Sequence, residues 1–149
     1  GGEIEDSIIH GYSNKQHDGF LGHSYICEWV NLGANTNNSN LKNNYGNIRF
    51  TLNNEIIETN KQFLGLMMGD FSKSGISTMF NTGSYVGIGA NIFGSGFQNK
   101  NIKSFQWGKN EETDIEKFIN TCKIIKSRRN ESLHSSEETL LRKIYKDNK

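Results

Sequence analysis

The sequence has no proline, only two cysteines, almost no net charge and no long apolar run. With 17 basic against 16 acidic residues, a formal charge of +1 singles out neither nucleic acid nor an acidic partner. The charges read as a solvated, mixed surface. No apolar stretch approaches the ~18 residues that a membrane-crossing helix needs, so no membrane partner is expected. Cys27 and Cys122 stand in no framework spacing. Both are expected as small buried apolar groups in a reducing, cytoplasmic setting. The lack of proline, beside abundant Asn, Lys and Ile, reflects genome bias more than function. An initiator Met and a signal-peptide pattern are also missing. The chain begins inside what reads as a repeat, as a piece of a longer protein would. A length of 149 residues makes one domain the default.

What is present is a period of six. From Met68 to Gly96, successive hexads open on Met68, Ser74, Phe80, Val86 and Ile92. Their fifth positions, Ser72, Thr78, Ser84, Ala90 and Gly96, are all small. A helix would scatter this pattern around its circumference, and a plain strand would repeat every second residue. One large inward residue and one small residue per six suit a prism-shaped parallel β-helix. Each face is then a short strand, each corner a tight turn, and coils stack about 4.8 Å apart. Phe20, Ile26 and Leu32 give the same register in an earlier run.

Around these runs, residues 1–12 read as a first coil through Ile4, Ile8 and Ile9, and residues 13–19 as a polar loop. Residues 38–62 break the period. An alternating stretch at 48–52, an Asn53–Asn54 turn and a short strand at Ile56–Ile57 predict a protruding hairpin, which either carries binding groups or is a mere insertion. The aromatic stretch 97–107 is expected to close the open end of the core. Over 112–129, Ile115, Phe118, Ile119, Cys122 and Ile125 form the stripe of an amphipathic helix. Ser135 and Glu138 have capping-box spacing before a second helix with Leu140, Leu141, Ile144 and Tyr145. Both helices read as packing against the coil or a neighbouring subunit. Lys123, Lys126, Arg128 and Arg129 are read as suiting the dipole of the first helix, in preference to meeting a phosphate. The expected architecture is an all-β solenoid over residues 1–108, with a hairpin insertion at about 38–62, followed by a helical tail over 109–149. Of the four histidines, His17 lies in the most suggestive place, beside a loop and just before a coil. A neutral imidazole there suits a general base, although a loop histidine also reads as polar surface.

The hexads resemble the left-handed β-helix of the hexapeptide-repeat acyltransferases. His17-Asp18-Gly19-Phe20-Leu21-Gly22 is similar to the H-x-x-Y-L-G signature of the acetyltransferase domain of bifunctional N-acetylglucosamine-1-phosphate uridyltransferase/glucosamine-1-phosphate acetyltransferases. Asn31-Leu32-Gly33-Ala34-Asn35-Thr36 resembles the N-I-G-A-G-T of that family. The segments GYSNKQHDGFLG, EWVNLGANTNNSNLKNNYGN, GLMMGDFSKSGISTMFNTG and ANIFGSGF look like the C-terminal half of a bacterial sugar-nucleotidyltransferase-like subgroup. This resemblance implies a left-handed coil, a homotrimer with sites at subunit clefts, acetyl-CoA as co-substrate and no metal. It also implies an N-terminal nucleotidyltransferase half that is absent from this chain. His17 would deprotonate the nitrogen of an amino sugar. Asn31 and Asn40 match sugar-contacting asparagines, with Lys42 and Tyr45 beside them as substrate-binding residues. Ala34, Gly75 and Gly94 fall where the family's coils contact acetyl-CoA. Phe20 replaces the family's tyrosine, and Glu5 and Asp6 stand where the sugar-phosphate enzymes carry lysines.

Two rival readings accompany this one. In the first, the chain is a trimerisation scaffold for the nucleotidyltransferase domain, with its acyl-transfer site decayed. In the second it is a zinc hydratase on the same fold, which needs three converging histidines. His17 and His23, six apart, would occupy equivalent places on different faces and not converge within one subunit.

Overall fold

The computed structural model describes residues 1–53 and 55–148. The chain climbs through three parallel ladders in rotation. The first coil has β1 (Glu3–Glu5), β2 (Ile8–Ile9) and a bridge at Asn14. The second has β3 (Phe20–Gly22), β4 (Tyr25–Ile26) and β5 (Asn31–Leu32). The third begins with β6 (Asn37–Asn38) and is interrupted by a hairpin of β7 (Arg49–Leu52) and β8 (Glu55–Glu58). It resumes with β9 (Leu66–Met68) and β10 (Lys73–Ser74). The fourth has β11 (Met79–Phe80), β12 (Ser84–Val86) and β13 (Asn91–Ile92). The fifth has a bridge at Phe97, then β14 (Asn101–Ile102) and β15 (Gln106–Trp107), against which β16 (Glu111–Glu112) folds back antiparallel.

Strands one coil apart pair in parallel. The second face runs β2-β4-β9-β12-β14, and the third runs β5-β10-β13-β15. The first face pairs β1 with β3 and β6 with β11. Between those two pairs, side chains replace the ladder. The Asn37 and Asn38 amide oxygens accept from the backbone N–H groups of Phe20 and Gly22, and the Asn38 amide donates back to the Gly22 carbonyl. This explains a buried asparagine at an inward position: the amide supplies hydrogen bonds that the backbone would otherwise lack. Mostly parallel strands in three ladders, followed by two helices, are consistent with a parallel β-helix.

The five hexad-opening residues of the later run, from Met68 to Ile92, are all buried, and Met68 pairs with Val86 18 residues on. In the earlier run Ile26 and Leu32 point inward as expected, but Phe20 does not. Leu21, 1% exposed, fills that place, and the Phe20 ring turns outward over Gly22. The step from Leu21 to Ile26 spans five residues rather than six, as the step from Ile4 to Ile9 does one coil below, which shifts the inward residue by one. Residues 97–107 also depart from expectation. They form a fifth coil rather than a lid.

The hairpin forms where its alternation predicts, and Phe50 packs edge-on against Tyr85 of the second face. Asn53, the first residue of the expected turn, has a positive φ; Asn54 lies outside the described residues. The tail is α1 (Ile115–Ser127), capped by the Asp114 side chain, and α2 (Ser135–Asp147). The capping box is not made. His134 takes the N-cap position without a side-chain bond, and the Glu138 carboxylate is held by Lys123 and Arg142 instead. Leu141 is buried, whereas Leu140 is 56% exposed and faces away from the packed stripe. None of the described helices is long and apolar enough to cross a membrane.

The three edges of this coil differ. The edge between the first and second faces releases the hairpin. On the edge between the second and third, Tyr12, Trp29, Phe71, Gly89 and Phe105 take equivalent left-handed corners, with φ of 60 to 67°. These corners turn the aromatic rings outward. There α1 and α2 bury Trp29, Phe71 and Phe105 together with Phe118, Ile119, Cys122 and Leu141. Gly89 lacks a ring because Phe118 fills the space: a Cβ on Gly89 would stand 2.6 Å from that ring. No described helix or hairpin covers the third edge.

Candidate functional site

His17 stands on that uncovered edge, where the first coil turns from the third face to the first. The turn is pinned from several sides. The buried Lys15 ammonium donates to the His17 carbonyl at 2.9 Å. Asn35 N–H donates to the Asp18 carbonyl, and Glu3 N–H to the Gly19 carbonyl. The imidazole itself is exposed and has no hydrogen-bond partner among the described residues. Backbone position is therefore fixed while the ring stays free.

Register carries the edge upward from there. Leu32, Ser74 and Ile92 pair in line, so Gly33, Gly75 and Phe93 occupy one corner position, and Ala34, Ile76 and Gly94 the next. By the offset of Asn14 to Asn31, His17 stands one coil below Ala34. Ala34, Ile76 and Gly94 thus rise in line from His17, and Gly75 stands on the same edge one position earlier. The small residues permit close stacking: a Cβ on Gly33 would lie 2.7 Å from the Gly75 carbonyl carbon. Ile76 is 79% exposed, and Phe93 and Phe97 are exposed nearby, giving the edge an apolar border.

Asn31 lies on the third face beside Asn14 and helps line a cleft of about 600 Å³ between that face and the C-terminal end of α1. Asn40 is elsewhere. At the hairpin edge its amide donates to Glu5 at 3.0 Å and meets His23 Nδ1 at 2.9 Å. His23 Nε2 lies 3.5 Å from Asp6, and its ring stacks on Phe63. The chain leaves the coil at Asn40 and returns at Phe63, so His23 ties together the two ends of the insertion. Lys42 donates to the Asn47 carbonyl within the insertion, and Tyr45 is exposed, its carbonyl accepting from Gln62. One copy of the chain therefore groups His17 with Ala34, Gly75 and Gly94, and places Asn31 on the adjoining face. Asn40, Lys42 and Tyr45 belong to a different edge.

Two groupings escaped sequence reasoning. Glu5 and Asp6 are not free carboxylates, because His23 sits between them; only the pairing of consecutive coils reveals this. The cleft below α1 brings Lys73 near Arg128 and Arg129, which are far from it in sequence. Among the described residues, no group of three or more His, Cys, Asp or Glu side chains is gathered as a metal site needs. Burial pushes the Cys27 thiol up to about 11 and the Cys122 thiol to about 12, so neither is disposed to act as a nucleophile near neutral pH.

No family model matches the chain. It is similar to the bifunctional sugar-1-phosphate nucleotidylyltransferase/acetyltransferase of Sulfurisphaera tokodaii, with 27% identity over 100 residues, 67% of this chain and 25% of that protein. It is similar also to the bifunctional protein GlmU of Methanocaldococcus jannaschii, 31% identical over 102 residues, 68% of this chain and 25% of the relative. The GlmU of Methanococcus aeolicus is 33% identical over 93 residues, 60% of this chain and 22% of its own. The chain spans about a quarter of the length of these curated relatives. The resemblance noted from the motifs is thus one to bifunctional nucleotidyltransferase/acetyltransferases.

Proposed function

We propose that the chain is the acyltransferase part of a sugar-nucleotide biosynthesis protein, moving an acetyl group from acetyl-CoA to the amine of an amino sugar. The observation that carries this reading is that one bare edge holds His17 in line with Ala34 and Gly94, with Gly75 one position away. A pantetheine arm lies along the small corners, its flanks against Ile76 and Phe93. His17 accepts the proton of the amine as nitrogen attacks the thioester carbonyl carbon. A backbone N–H stabilises the oxyanion, and the collapsing intermediate expels the CoA thiolate, which takes up the proton.

A single edge is too open to exclude water, and Asn31 and Asn40 do not meet within one chain. A homotrimer of left-handed coils accounts for both, with a neighbour walling the edge and lending its Asn40, Lys42 and Tyr45. The nucleotidyltransferase function belongs to a separate N-terminal domain, residues 1–108 to the acyl-transfer domain and residues 109–149 to its helical brace. The setting is cytoplasmic. Purified chain supplied with acetyl-CoA and a panel of amino sugars is expected to release CoA, and His17→Ala to lower kcat by about 10²–10⁴-fold. Equal turnover by the two proteins removes His17 from the chemistry.

A second reading is favoured by one observation. Nothing in the described chain orients the His17 imidazole, while the Asn40 amide is taken by Glu5 and His23. That arrangement suits a trimerisation scaffold whose site has decayed. No turnover with any amino sugar, together with no bound CoA, selects it.

A further inference from the structure

The cleft between the third face and the end of α1 shares Asn31 with the acyl-transfer reading but gathers cations that acyl transfer does not use. Its wall includes three cations, Lys73, Arg128 and Arg129, and three amides, Asn14, Gln16 and Asn31, with no carboxylate among the lining residues. The amides come from consecutive coils, and Asn14 and Asn31 are paired in register. Arg129 reaches down from the helix and donates to the Asn14 amide oxygen at 3.1 Å, so helix and coil close the cleft together.

None of the three cations has an anionic partner among the described residues, Arg129 meeting only the neutral Asn14 amide. The Lys73 ammonium donates only to the Phe71 carbonyl, at 3.1 Å, and burial pushes its pKa down. Arg128 forms no ion pair. Several other cations of the tail are paired, Lys126 with Glu137, Lys123 with Glu138, and Arg142 with Glu116 and Glu138, whereas Lys117 and Lys146 are exposed and unpaired among the described residues. The carbonyls at the end of α1 favour the nearby arginines. They do not account for Lys73, which belongs to the coil, or for three positive charges around a roomy cleft. Lys73 also borders a second cleft that holds Glu111, Glu112 and Asp114, but it pairs with none of them, and a half-buried ammonium without an ion pair is costly unless an anion joins it.

We infer that this cleft is a binding site for a phosphate group, held by the guanidinium groups of Arg128 and Arg129 and the ammonium of Lys73. Guanidinium forks match the spacing of phosphate oxygens, and the lysine adds a compact charge on the opposite wall. The amides of Asn14, Gln16 and Asn31 are suited to hydroxyl groups on an ester-linked organic part. The site does not depend on acetyl transfer, and no acyl donor enters its test, so the failure of one reading leaves the other standing.

The test is a titration of the isotope-labelled chain followed by NMR, reading the Trp29 indole and the arginine Nε–H resonances. Inorganic phosphate and glucose 6-phosphate serve as separate probes, with Arg128→Ala, Lys73→Met and, outside the cleft, Lys146→Ala as variants. Arg128 is exposed, so its removal spares the fold. The expected result is saturable shifts at Trp29 and the two arginines, with the affinity about tenfold weaker in Arg128→Ala and unchanged in Lys146→Ala. Saturation by inorganic phosphate assigns the site to the anion itself, and saturation by the ester alone assigns it to a phosphorylated organic ligand. Shifts from neither probe overturn the inference, as does an affinity that Arg128→Ala and Lys73→Met leave unchanged.

Discussion

The edge between the second and third faces and the edge between the third and first are made from the same kind of corner. Trp29 and Phe71 adopt left-handed φ on one, and Asn35 and Ser77 on the other. In each case the corner N–H donates to a carbonyl of the coil below: Phe71 to Glu28, Asn35 to Asp18, Ser77 to Ala34. Only the side chains differ. Aromatic rings on the first edge collect a covering of helices, with Phe105 meeting Phe118 and Tyr145 edge-to-face at 5.1 Å each. Small and polar groups on the second leave the backbone within reach of a ligand. A left-handed corner costs a bulky residue on the order of 1–3 kcal/mol, which burial of the ring offsets on the covered edge. Stability thus resides on one edge and access on another.

Breaking the covered edge has the largest expected effect. Phe105→Ala removes a fully buried ring and should lower the unfolding free energy by about 3–5 kcal/mol in denaturant titrations. His17→Ala on the bare edge should change it by less than about 0.5 kcal/mol. Similar losses at both positions erase the distinction between the edges.

That distinction was only partly legible in the sequence. The hexads from Met68 to Ile92 gave the inward residues because that run keeps a constant spacing. The resemblance in Asn31–Thr36 and His17–Gly22 drew attention to His17 before any coil was seen. The period fails at Phe20, because the step to Ile26 is one residue short and Leu21 takes the inward place instead. The aromatic column was not legible either. Trp29, Phe71 and Phe105 lie at corners rather than in strands, and their common edge emerges only when coils are stacked. Ser135 and Glu138 had the spacing of a capping box, but Lys123 from α1 and Arg142 one turn further along α2 captured the glutamate. Arg128, Arg129 and Lys73 come from separate elements, and only the packing of α1 brings them to one cleft.

Filling the bare edge should sharpen the contrast. Ala34→Leu places bulk where the pantetheine arm is proposed to lie. It should raise KM for acetyl-CoA while leaving the unfolding transition nearly unchanged. An unaltered KM places the donor elsewhere.

A smaller effect concerns Lys73, between the two edges. Burial lowers its pKa in the folded state, so the unfolded chain binds this proton more readily. The charged lysine therefore costs stability below its folded pKa, and the cost fades as pH rises from there toward the ordinary lysine value of about 10.4. Lys73→Met should stabilise the chain at pH 7, with a gain that shrinks on approach to pH 10. Thermal unfolding across that range measures it; a gain independent of pH assigns the effect to packing alone.

The most direct measurement is a crystal structure of the chain soaked with acetyl-CoA. The account predicts the pantetheine arm along the corners of Ala34, Gly75 and Gly94, with the thioester carbonyl within reach of the His17 imidazole. Acetyl-CoA bound on another face, or with its thioester remote from His17, contradicts it.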